Sequence, residues 1–385
     1  MRIGVNCRFL QPGKMEGFGW YTYEVVKRLV ENNPHIEFIL LFDRPYSRKF
    51  LFGRNAIPVV IAPQARHPVL FKIWFDFSVK RALKKHKADI FFSPDGYLSL
   101  TSNIPQIPVI HDLNFEHYPE DIPSWPRKYL RSNFPKFAKK ASRIITVSNY
   151  SKEDIQQCYQ IPADKIVVGW NGASEKFQPL EYPEKEKIRN QYAGGKPYFI
   201  FVGALHPRKN VGRLLEAFEK FCGMNSEIDL LIVGEELWKR QDAKLPVPPE
   251  SVKSRVHFTG HVPLETLTEL MGAAMALVYV PYFEGFGIPL AEAMKCGIPI
   301  VSADKTSLPE VAGDAALYCD PFSVDDIANT MFRLIADPFM YKEIASRSLE
   351  RGKLFSWDKT AETVWEVLEE ELGKVIELSH EEIDA

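Results

Sequence analysis

The chain has 385 residues, of which 45% are hydrophobic and 25% are charged, with a formal net charge of −2. This length exceeds what a single hydrophobic core usually serves, so the sequence predicts a globular protein of two domains. The longest nearly uninterrupted apolar run, residues 270–283, is too short for a membrane span, and the N-terminus lacks signal-peptide architecture. The five cysteines show no metal-binding spacing, so we expect reduced thiols and a cytoplasmic protein.

Short apolar segments alternate with helical patterns through the first half of the chain. Residues 20–32 and 151–159 predict helices, the second opening with a capping box formed by Ser151 and Asp154. Because nearly continuous apolar strands separated by helices are typical of a parallel sheet covered on both faces, we expect a doubly wound domain. The predicted strands are "RIGVNCRFL", "EFILLF", "VVIAP", "ADIFFSP", "IPVIHDL", "RIITVSN" and "KIVVGW".

A polar, charged and proline-bearing segment at 175–187 predicts a linker, after which the alternation begins again. The α/β pattern therefore predicts two Rossmann-like doubly wound domains, residues 1–175 and 176–355, that face a common cleft. Ligands of such sheets bind at the carboxyl ends of the strands. The predicted strands of the second half are "PYFIFVGAL", "DLLIVG", "VHFTG", "MALVYV", "IPIVSA" and "AALYCD".

The segment "EGFGIPLAE", residues 284–292, follows a predicted buried strand. The glycine turn and Pro289 predict the N-terminus of a helix, where backbone N–H groups can bind an anion. Glu284 precedes this helix and Glu292 lies one turn into it, so both carboxylates can face one ligand. A glycine–proline turn with two solvated glutamates is the alternative interpretation.

A second candidate segment, "VGALHPRKN", also joins a predicted strand to a helix. The strand ends at Gly203, and Asn210 or a neighbouring residue is predicted to cap the helix. Arg208 and Lys209 therefore lie at a helix N-terminus, where positive charge is unfavourable unless an anion such as phosphate binds there. Two exposed surface cations are the alternative.

The first half of the chain contributes a glycine turn, with Gly17 and Gly19, and "PVIHDL", which places His111 at the end of a strand. The single G-x-G is too short for a dinucleotide-binding fingerprint. A lone histidine at such a position is more often structural than catalytic. The chain has no D-x-D triplet, so the sequence predicts no divalent metal bridging a diphosphate.

These segments together resemble the retaining glycosyltransferases of family 4. Residues 284–292 match the family's E-x7-E motif, and "FVGALHPRKN", "VSNYSKEDI", "GWNGASEKFQP" and "FSWDKTAETVWEVL" are similar to its other segments in the same order. The resemblance covers nearly the whole chain. It implies a GT-B fold with a C-terminal helix, at about 356–378, that crosses back to the first domain. It also implies transfer of a sugar from a nucleotide donor without a metal ion or a cofactor.

The resemblance implies a role for each charged candidate. Arg208 and Lys209 would hold the donor diphosphate and stabilise the leaving group. Glu292 would bind the ribose hydroxyls and Glu284 the transferred sugar, which His111 would contact near the reacting centre. The other positions implied to line the donor site are Gly17, Gly19, Gly203, Val262, Gly285, Phe286, Gly287 and Ile288.

The substrates are predicted less specifically. We expect a GDP- or UDP-hexose donor, with GDP-mannose favoured, and a glycan or lipid-linked acceptor in the synthesis of a cell-surface polysaccharide. The alternatives are a nucleotide-sugar epimerase or hydrolase on the same scaffold and a non-catalytic protein that binds sugar nucleotides. The double glycine and the arginine that the family often has around the first glycine turn are replaced here by Glu16 and Trp20.

The first half of the chain is basic. Residues 1–178 contain 26 Lys and Arg against 16 Asp and Glu, and the segments 69–87 and 127–143 are the most basic. Apolar residues interleaved with these cations favour peripheral contact with an anionic membrane, at the inner face of the cytoplasmic membrane. The alternative is a core helix with a solvated basic face. No motif supports binding of nucleic acid.

Overall fold

The computed structural model describes residues 1–13, 15, 17–65, 67–225, 227–235 and 246–384. The chain divides into two compact units, Met1–Asn171 with Trp357–Ala385, and Gly172–Ser356. The boundary predicted from the sequence, after residue 175, lies a few residues beyond this division. Each unit is an α/β domain of the Rossmann-like type, as the strand pattern predicts.

The first unit is built on a parallel sheet of seven strands in the order β3-β2-β1-β4-β5-β6-β7. Each predicted apolar segment of the first half overlaps one of these strands, but "VVIAP" is predicted three residues too late and shares only the last two residues of β3. The residues of β1, β2, β4 and β5 are almost all buried, because helices cover both faces of the sheet. The strands are β1 (Arg2–Asn6), β2 (Glu37–Phe42), β3 (Ala56–Val60), β4 (Ile90–Ser93), β5 (Gln106–Ile110), β6 (Ile144–Thr146) and β7 (Ile166–Val168).

The longer helices of the first unit bury one apolar face each. In the first of them, Tyr21, Val25 and Leu29 recur every four residues and are fully or almost fully buried. A π-helical turn, Trp74–Val79, joins the second and third helices. The helices are α1 (Gly17–Asn32), α2 (Pro68–Ile73), α3 (Lys80–Lys85), α4 (Asn114–His117), α5 (Ser124–Lys140) and α6 (Asn149–Tyr159).

The predicted capping box of α6 is wrong in its position. Ser148, whose backbone is extended, is the N-cap residue, and its hydroxyl accepts a hydrogen bond from the backbone N–H of Ser151. Ser151 already lies in the first turn of the helix. The helix starts earlier because Ser148, three residues upstream, accepts from the N–H of Ser151 and so provides the N-cap.

The second unit has a parallel sheet of six strands in the order β10-β9-β8-β11-β12-β13. The chain runs outwards from β8 to β10 and then returns to place β11 on the other side of β8. The loops that follow β8 and β11 therefore lie side by side at the point where the strand order reverses, which is where open α/β sheets bind ligands. The strands are β8 (Tyr198–Val202), β9 (Asp229–Val233), β10 (Val256–Gly260), β11 (Ala276–Tyr279), β12 (Ile300–Ala303) and β13 (Ala316–Cys319).

The predicted linker is partly helical. The first helix of the second unit begins at Tyr182, and Glu181 and Glu184 form a reciprocal capping box at its start. Strong helix formers at 184–191 outweigh the polar character that suggested a linker. The helices are α7 (Tyr182–Ala193), α8 (Val211–Met224), α9 (Leu264–Ala273), α10 (Ile288–Lys295), α11 (Leu308–Ala312), α12 (Val324–Ala336) and α13 (Pro338–Gly352).

The last helix, α14 (Trp357–Asp384), belongs to the first unit, as the resemblance implies. Val364 and Leu368 on its inner face are fully buried. The hydroxyl of Thr360 donates a hydrogen bond of 2.7 Å to the carbonyl oxygen of Trp170. Within the part of the chain that the structure describes, none of the helices has both the length and the apolarity needed to cross a membrane.

Glycines allow close backbone contact at the carboxyl ends of β8 and β9. Gly203 and Gly234 follow these strands with φ of 151° and 139°. A Cβ atom on Gly234 would lie 2.0 Å from the carbonyl oxygen of Gly203. Only glycine fits there, because a side chain would push apart the two loops at the ligand-binding end of the sheet.

We expect Gly234→Ala to lower the free energy of unfolding by about 2–3 kcal/mol, since it adds a backbone clash to an unfavourable φ. Gly212→Ala is the control: a Cβ atom there has open space in α8, and the alanine should stabilise the protein by up to about 1 kcal/mol. Urea denaturation followed by circular dichroism measures both. Equal stability of the two variants would contradict the close contact.

Candidate functional site

Two charged loops meet at the reversal of strand order in the second unit. Strand β11 pairs with β8, with Ala276 opposite Phe199 and Leu277 opposite Ile200. The loop after β8 carries Arg208 and Lys209, and the loop after β11 carries Glu284. Two segments that are about seventy residues apart in the sequence are thereby brought into contact.

Arg208, Lys209 and Glu284 form an ion cluster on a single carboxylate oxygen. Arg208 Nη1 lies 2.7 Å and Lys209 Nζ lies 2.5 Å from Oε1 of Glu284. Arg208 Nη1 also donates a hydrogen bond of 3.1 Å to the carbonyl oxygen of Phe283. The Glu284 residue is only 6% exposed, whereas the Arg208 side chain keeps 23% of its surface accessible. The buried carboxylate therefore holds two cations that still reach solvent.

The backbone around the two cations is held by Asn210. Pro207–Lys209 form one turn of 3₁₀-helix, and Asn210 follows in the left-handed region with φ of 61°. Its side-chain amide donates hydrogen bonds to the carbonyl oxygens of Val280, at 2.9 Å, and Pro321, at 2.6 Å. Asn210 does occupy the N-cap position of α8, but it makes no side-chain cap bond. Its amide instead links the loop after β8 to the loops after β11 and β13.

Three further residues shape the cluster, and the sequence reasoning missed them. The hydroxyl of Tyr279 accepts a hydrogen bond of 2.6 Å from Lys209 Nζ, which also lies 5.1 Å from the centre of the ring. The backbone of Glu284 is fixed by the hydroxyl groups of Thr306, which accepts from its N–H, and Ser307, which donates to its carbonyl oxygen. The sequence offered one signal for Tyr279, because this residue lies at the end of the strand β11, where ligands of such sheets bind.

The two glutamates of the E-x7-E segment have opposite electrostatic surroundings. Burial alone would raise the pKa of Glu284, but the charges of Arg208 and Lys209 outweigh it and lower that pKa. Burial raises the pKa of Glu292 to about 7. Glu284 is thus ionised throughout the neutral range, whereas Glu292 changes protonation near neutral pH.

The glycine turn between the two glutamates closes onto the start of α10. Gly285, Phe286 and Gly287 are buried, and Gly287 is the N-cap residue with φ of 90°. A Cβ atom on Gly287 would lie 2.7 Å from Leu308 Cδ2. Ile288 and Pro289 then form the first helical turn, as the sequence predicts. The helix therefore begins four residues after Glu284, and its first N–H groups have no carbonyl partner within the helix.

Two of the predicted site residues lie on neighbouring loops of the same sheet. Gly203 follows β8, and a Cβ atom there would lie 3.7 Å from Lys209 Cε. Val262 lies between β10 and α9 and is partly exposed. Because β10 is two strands away from β8, Val262 is at the same edge of the sheet but on a more distant loop.

The remaining predicted site residues come together in the first unit. His111 follows β5, and its Nε2 lies 2.8 Å from the carbonyl oxygen of Pro94. Its ring lies between Phe18 and Tyr21, with centroid distances of 4.9 and 4.8 Å. Burial lowers the pKa of His111, so the ring is neutral at pH 7. Donation from Nε2–H to Pro94 then leaves Nδ1 as a hydrogen-bond acceptor.

The first glycine turn supports this arrangement. Gly17 is the first residue of α1, and Gly19 packs closely, since a Cβ atom on it would lie 3.0 Å from the carbonyl oxygen of Phe9. Glu16, which replaces part of the double glycine often found in the family, lies outside the described residues. Phe18, between the two glycines, was missed as a partner of His111.

Comparison with known proteins identifies the class of protein to which this chain belongs. Residues 15–176 match the family model described as Glycosyltransferase Family 4, and residues 184–351 match the model described as Glycosyl transferases group 1. The O-antigen chain mannosyltransferase B of Escherichia coli is 30% identical over 370 residues, which cover 91% of this chain and 95% of that protein. The chain therefore belongs to the family 4 glycosyltransferases.

Solved structures show the same fold. The sucrose-phosphate synthase of Thermosynechococcus elongatus aligns with a TM-score of 0.78 at 18% identity, covering 96% of this chain and 98% of that one. HepE of Anabaena, in complex with UDP-glucose, aligns with a TM-score of 0.76 at 20% identity, covering 96% and 100%. The two Rossmann-like domains are thus those of the GT-B fold.

The pKa directions of the two glutamates predict opposite effects of neutral substitutions on stability. The pKa of Glu292 is raised on folding, so the free energy of unfolding falls as the pH rises from about 4.5 to about 7. Glu292→Gln has no charge to bury and does not lose this stability. The pKa of Glu284 is lowered on folding, so its charge contributes stability above the unfolded pKa. At about pH 8 we expect Glu292→Gln to be more stable than the wild type and Glu284→Gln to be less stable.

Urea denaturation of the wild type and both variants at about pH 5 and pH 8 measures these differences. The gain of Glu292→Gln should shrink at the lower pH. If both variants changed the free energy of unfolding in the same direction at pH 8, the two carboxylates would not differ as described.

Proposed function

We propose that this protein is a retaining, metal-independent hexosyltransferase that transfers a hexose from a nucleotide sugar to a glycan or lipid-linked acceptor. The observation that carries the proposal is the ion cluster of Arg208, Lys209 and Glu284 at the switch point of the second sheet. Membership of the glycosyltransferase family supports the reaction class. Retention of the anomeric configuration rests on the resemblance to family members that retain it.

The chemistry requires positive charge where the nucleoside diphosphate leaves. Arg208 and Lys209 would take this role, helped by the N–H groups at the start of α10. Glu284 keeps both cations in place before the donor binds, which lowers the cost of ordering their long side chains. On binding, the diphosphate oxygens would compete with Glu284 for Arg208 and Lys209. Glu284 would then contact the transferred hexose through the oxygen that is released.

The other predicted residues complete the proposed donor site. The half-buried Glu292 would accept hydrogen bonds from the ribose hydroxyls in its ionised form. His111 would accept a hydrogen bond from a hydroxyl of the transferred sugar through Nδ1, because Nε2 is directed at Pro94. The backbone around the donor would be provided by Gly17, Gly19, Gly203, Val262, Gly285, Phe286, Gly287 and Ile288.

GDP-mannose is the favoured donor. The supporting observation is the similarity, along almost the whole of both chains, to an enzyme named as an O-antigen chain mannosyltransferase. HepE, whose structure holds UDP-glucose, is a more distant relative at 20% identity. The same O-antigen relative supports a role in the synthesis of a cell-surface polysaccharide, with a growing glycan as the acceptor.

A basic and apolar surface on the first unit would bring the enzyme to its acceptor. Val69, Ile73 and Phe77 lie four residues apart and are 57%, 39% and 64% exposed, and Trp125 on α5 is 66% exposed. Trp74 and Phe75, which the sequence placed on the same amphipathic segment, are buried in the core instead. The cations around the exposed stripe are Lys72, Lys80, Arg81, Lys84, Lys85 and Lys87. This surface has the composition that adsorbs to anionic membranes.

Binding and turnover with candidate donors test the proposal. GDP-mannose at about 100 times its dissociation constant should stabilise the protein by about 2.7 kcal/mol, and UDP-hexoses at the same concentration should stabilise it less. Release of GDP should require added acceptor. GDP release without acceptor would indicate a hydrolase, a change of the sugar without release would indicate an epimerase, and a thermal shift without turnover would indicate a binding protein.

The proposed counter-charges predict the effect of removing one cation. Lys209→Ala should lower the transfer rate by about 10²–10³-fold, the loss typical for one preorganised donor in an active site. Lys220→Ala is the control, because it removes a lysine whose 2.5 Å ion pair with Asp325 is exposed. EDTA should leave the wild-type rate unchanged. A strict requirement for Mg²⁺ or Mn²⁺, or full activity of Lys209→Ala, would contradict the role of the fixed cations.

A further inference from the structure

Three side chains with metal-binding groups converge in the first unit. His117 ends α4, and Asp154 and Cys158 lie one turn apart on the same side of α6. His117 Nε2 is 2.7 Å and Cys158 Sγ is 3.4 Å from Oδ1 of Asp154. One potential ligand atom from each residue lies within 4.8 Å of the other two. Small rotations of these side chains would place all three ligand atoms around one ion.

The cluster has an unsatisfied negative group. Asp154 is 7% exposed, and its Oδ2 is buried without a hydrogen-bond partner. Buried carboxylate oxygens nearly always have a partner, so this atom needs an explanation. A cation bound between the three side chains would neutralise this buried carboxylate.

We propose that His117, Asp154 and Cys158 bind a divalent transition-metal ion, with Zn²⁺ as the best match. An imidazole nitrogen, a thiolate sulfur and a carboxylate oxygen are all ligands of Zn²⁺, whereas Mg²⁺ and Ca²⁺ prefer oxygen ligands alone. On binding, the Cys158 S–H bond breaks, its proton goes to solvent, and the thiolate forms the bond to the metal. His117 binds through its unprotonated Nε2.

The surroundings of the cluster are compatible with a cation. A cavity of about 840 Å³ adjoins His117 and Cys158, and it gives a water molecule access to the fourth position of a tetrahedral site. The basic side chains of Arg127, Lys128 and Arg131 also line the cavity. Arg131 pairs with Glu116 at 2.8 Å, and Arg127 donates to the carbonyl oxygen of Pro119, so two of these three cations are held by other partners.

The ion would join α4 to α6 and so order the segment that follows β5. None of the three ligands is among the residues proposed for sugar transfer. The metal would therefore be structural, and the inference is independent of the proposed function. It is also compatible with activity in EDTA, since the leaving group is proposed to be stabilised by Arg208 and Lys209.

Metal titration of the EDTA-treated and desalted protein tests the proposal. Co²⁺ should bind one equivalent and give the absorption of a thiolate–cobalt bond, and Zn²⁺ should displace it and raise the unfolding temperature. Cys158→Ser should abolish the thiolate absorption and weaken Zn²⁺ binding by at least about 100-fold, since loss of even a residue that only orients a ligand costs up to about that much. Cys222→Ser, which changes a half-buried cysteine outside the cluster, should leave both unchanged.

A second measurement uses the wild-type chain and does not depend on the folding of a variant. Zn²⁺ should slow the alkylation of Cys158 by iodoacetamide and leave that of Cys222 unaffected, as followed by peptide mass spectrometry. Equal binding by Cys158→Ser and the wild type, or no protection of Cys158, would overturn the proposal.

Discussion

The pairing of β8 with β11 is the constraint on which the second unit's site depends. It places the carboxyl ends of two strands side by side, so that the loops carrying Arg208, Lys209 and Glu284 must meet. Burying a lone carboxylate would be costly, but two cations on one oxygen offset that cost. Asn210 then fixes the cationic loop by binding carbonyl oxygens of two other loops. The hydrogen bonds of Asn210 and the ion cluster of Arg208, Lys209 and Glu284 are thus parts of one network.

The same network explains why two glutamates in one short segment differ. Glu284 is in contact with both cations, whereas burial raises the pKa of Glu292, one turn into α10. The buried turn with Gly287 separates their surroundings, although they are close in the sequence. A donor with a diphosphate at one end and ribose hydroxyls nearby would suit such a pair, because one glutamate organises positive charge and the other accepts hydrogen bonds.

The two units are built on the same principle but differ in their surroundings. In the first unit, His111 also follows a buried strand, but its ring contacts one carbonyl oxygen and two aromatic rings. Burial keeps this imidazole neutral. The second unit therefore carries charged groups at the ends of its strands, whereas the first carries a neutral imidazole at the end of β5 and an exposed basic surface around Phe77 and Trp125.

The sequence alone determined which segments are strands, because runs such as "YFIFV" and "DLLIV" must be buried on both faces and can be recognised locally. It also indicated that Arg208, Lys209, Glu284 and Glu292 follow strands or begin helices. Local patterns were less reliable at helix starts, where the structure has Ser148 and Glu181 as the N-cap residues of α6 and α7.

Only the tertiary structure decided which side chains meet. The contact of Lys209 with Tyr279, the carbonyl partners of Asn210 and the convergence of His117 with Asp154 join residues that are tens of positions apart. The pKa of Glu292 likewise depends on protein that surrounds it from other elements. The physical reason is that burial follows a local periodicity of apolar residues, which the sequence shows directly. Contacts between loops depend instead on the order in which the strands pair, and that order is set by the packing of the whole domain.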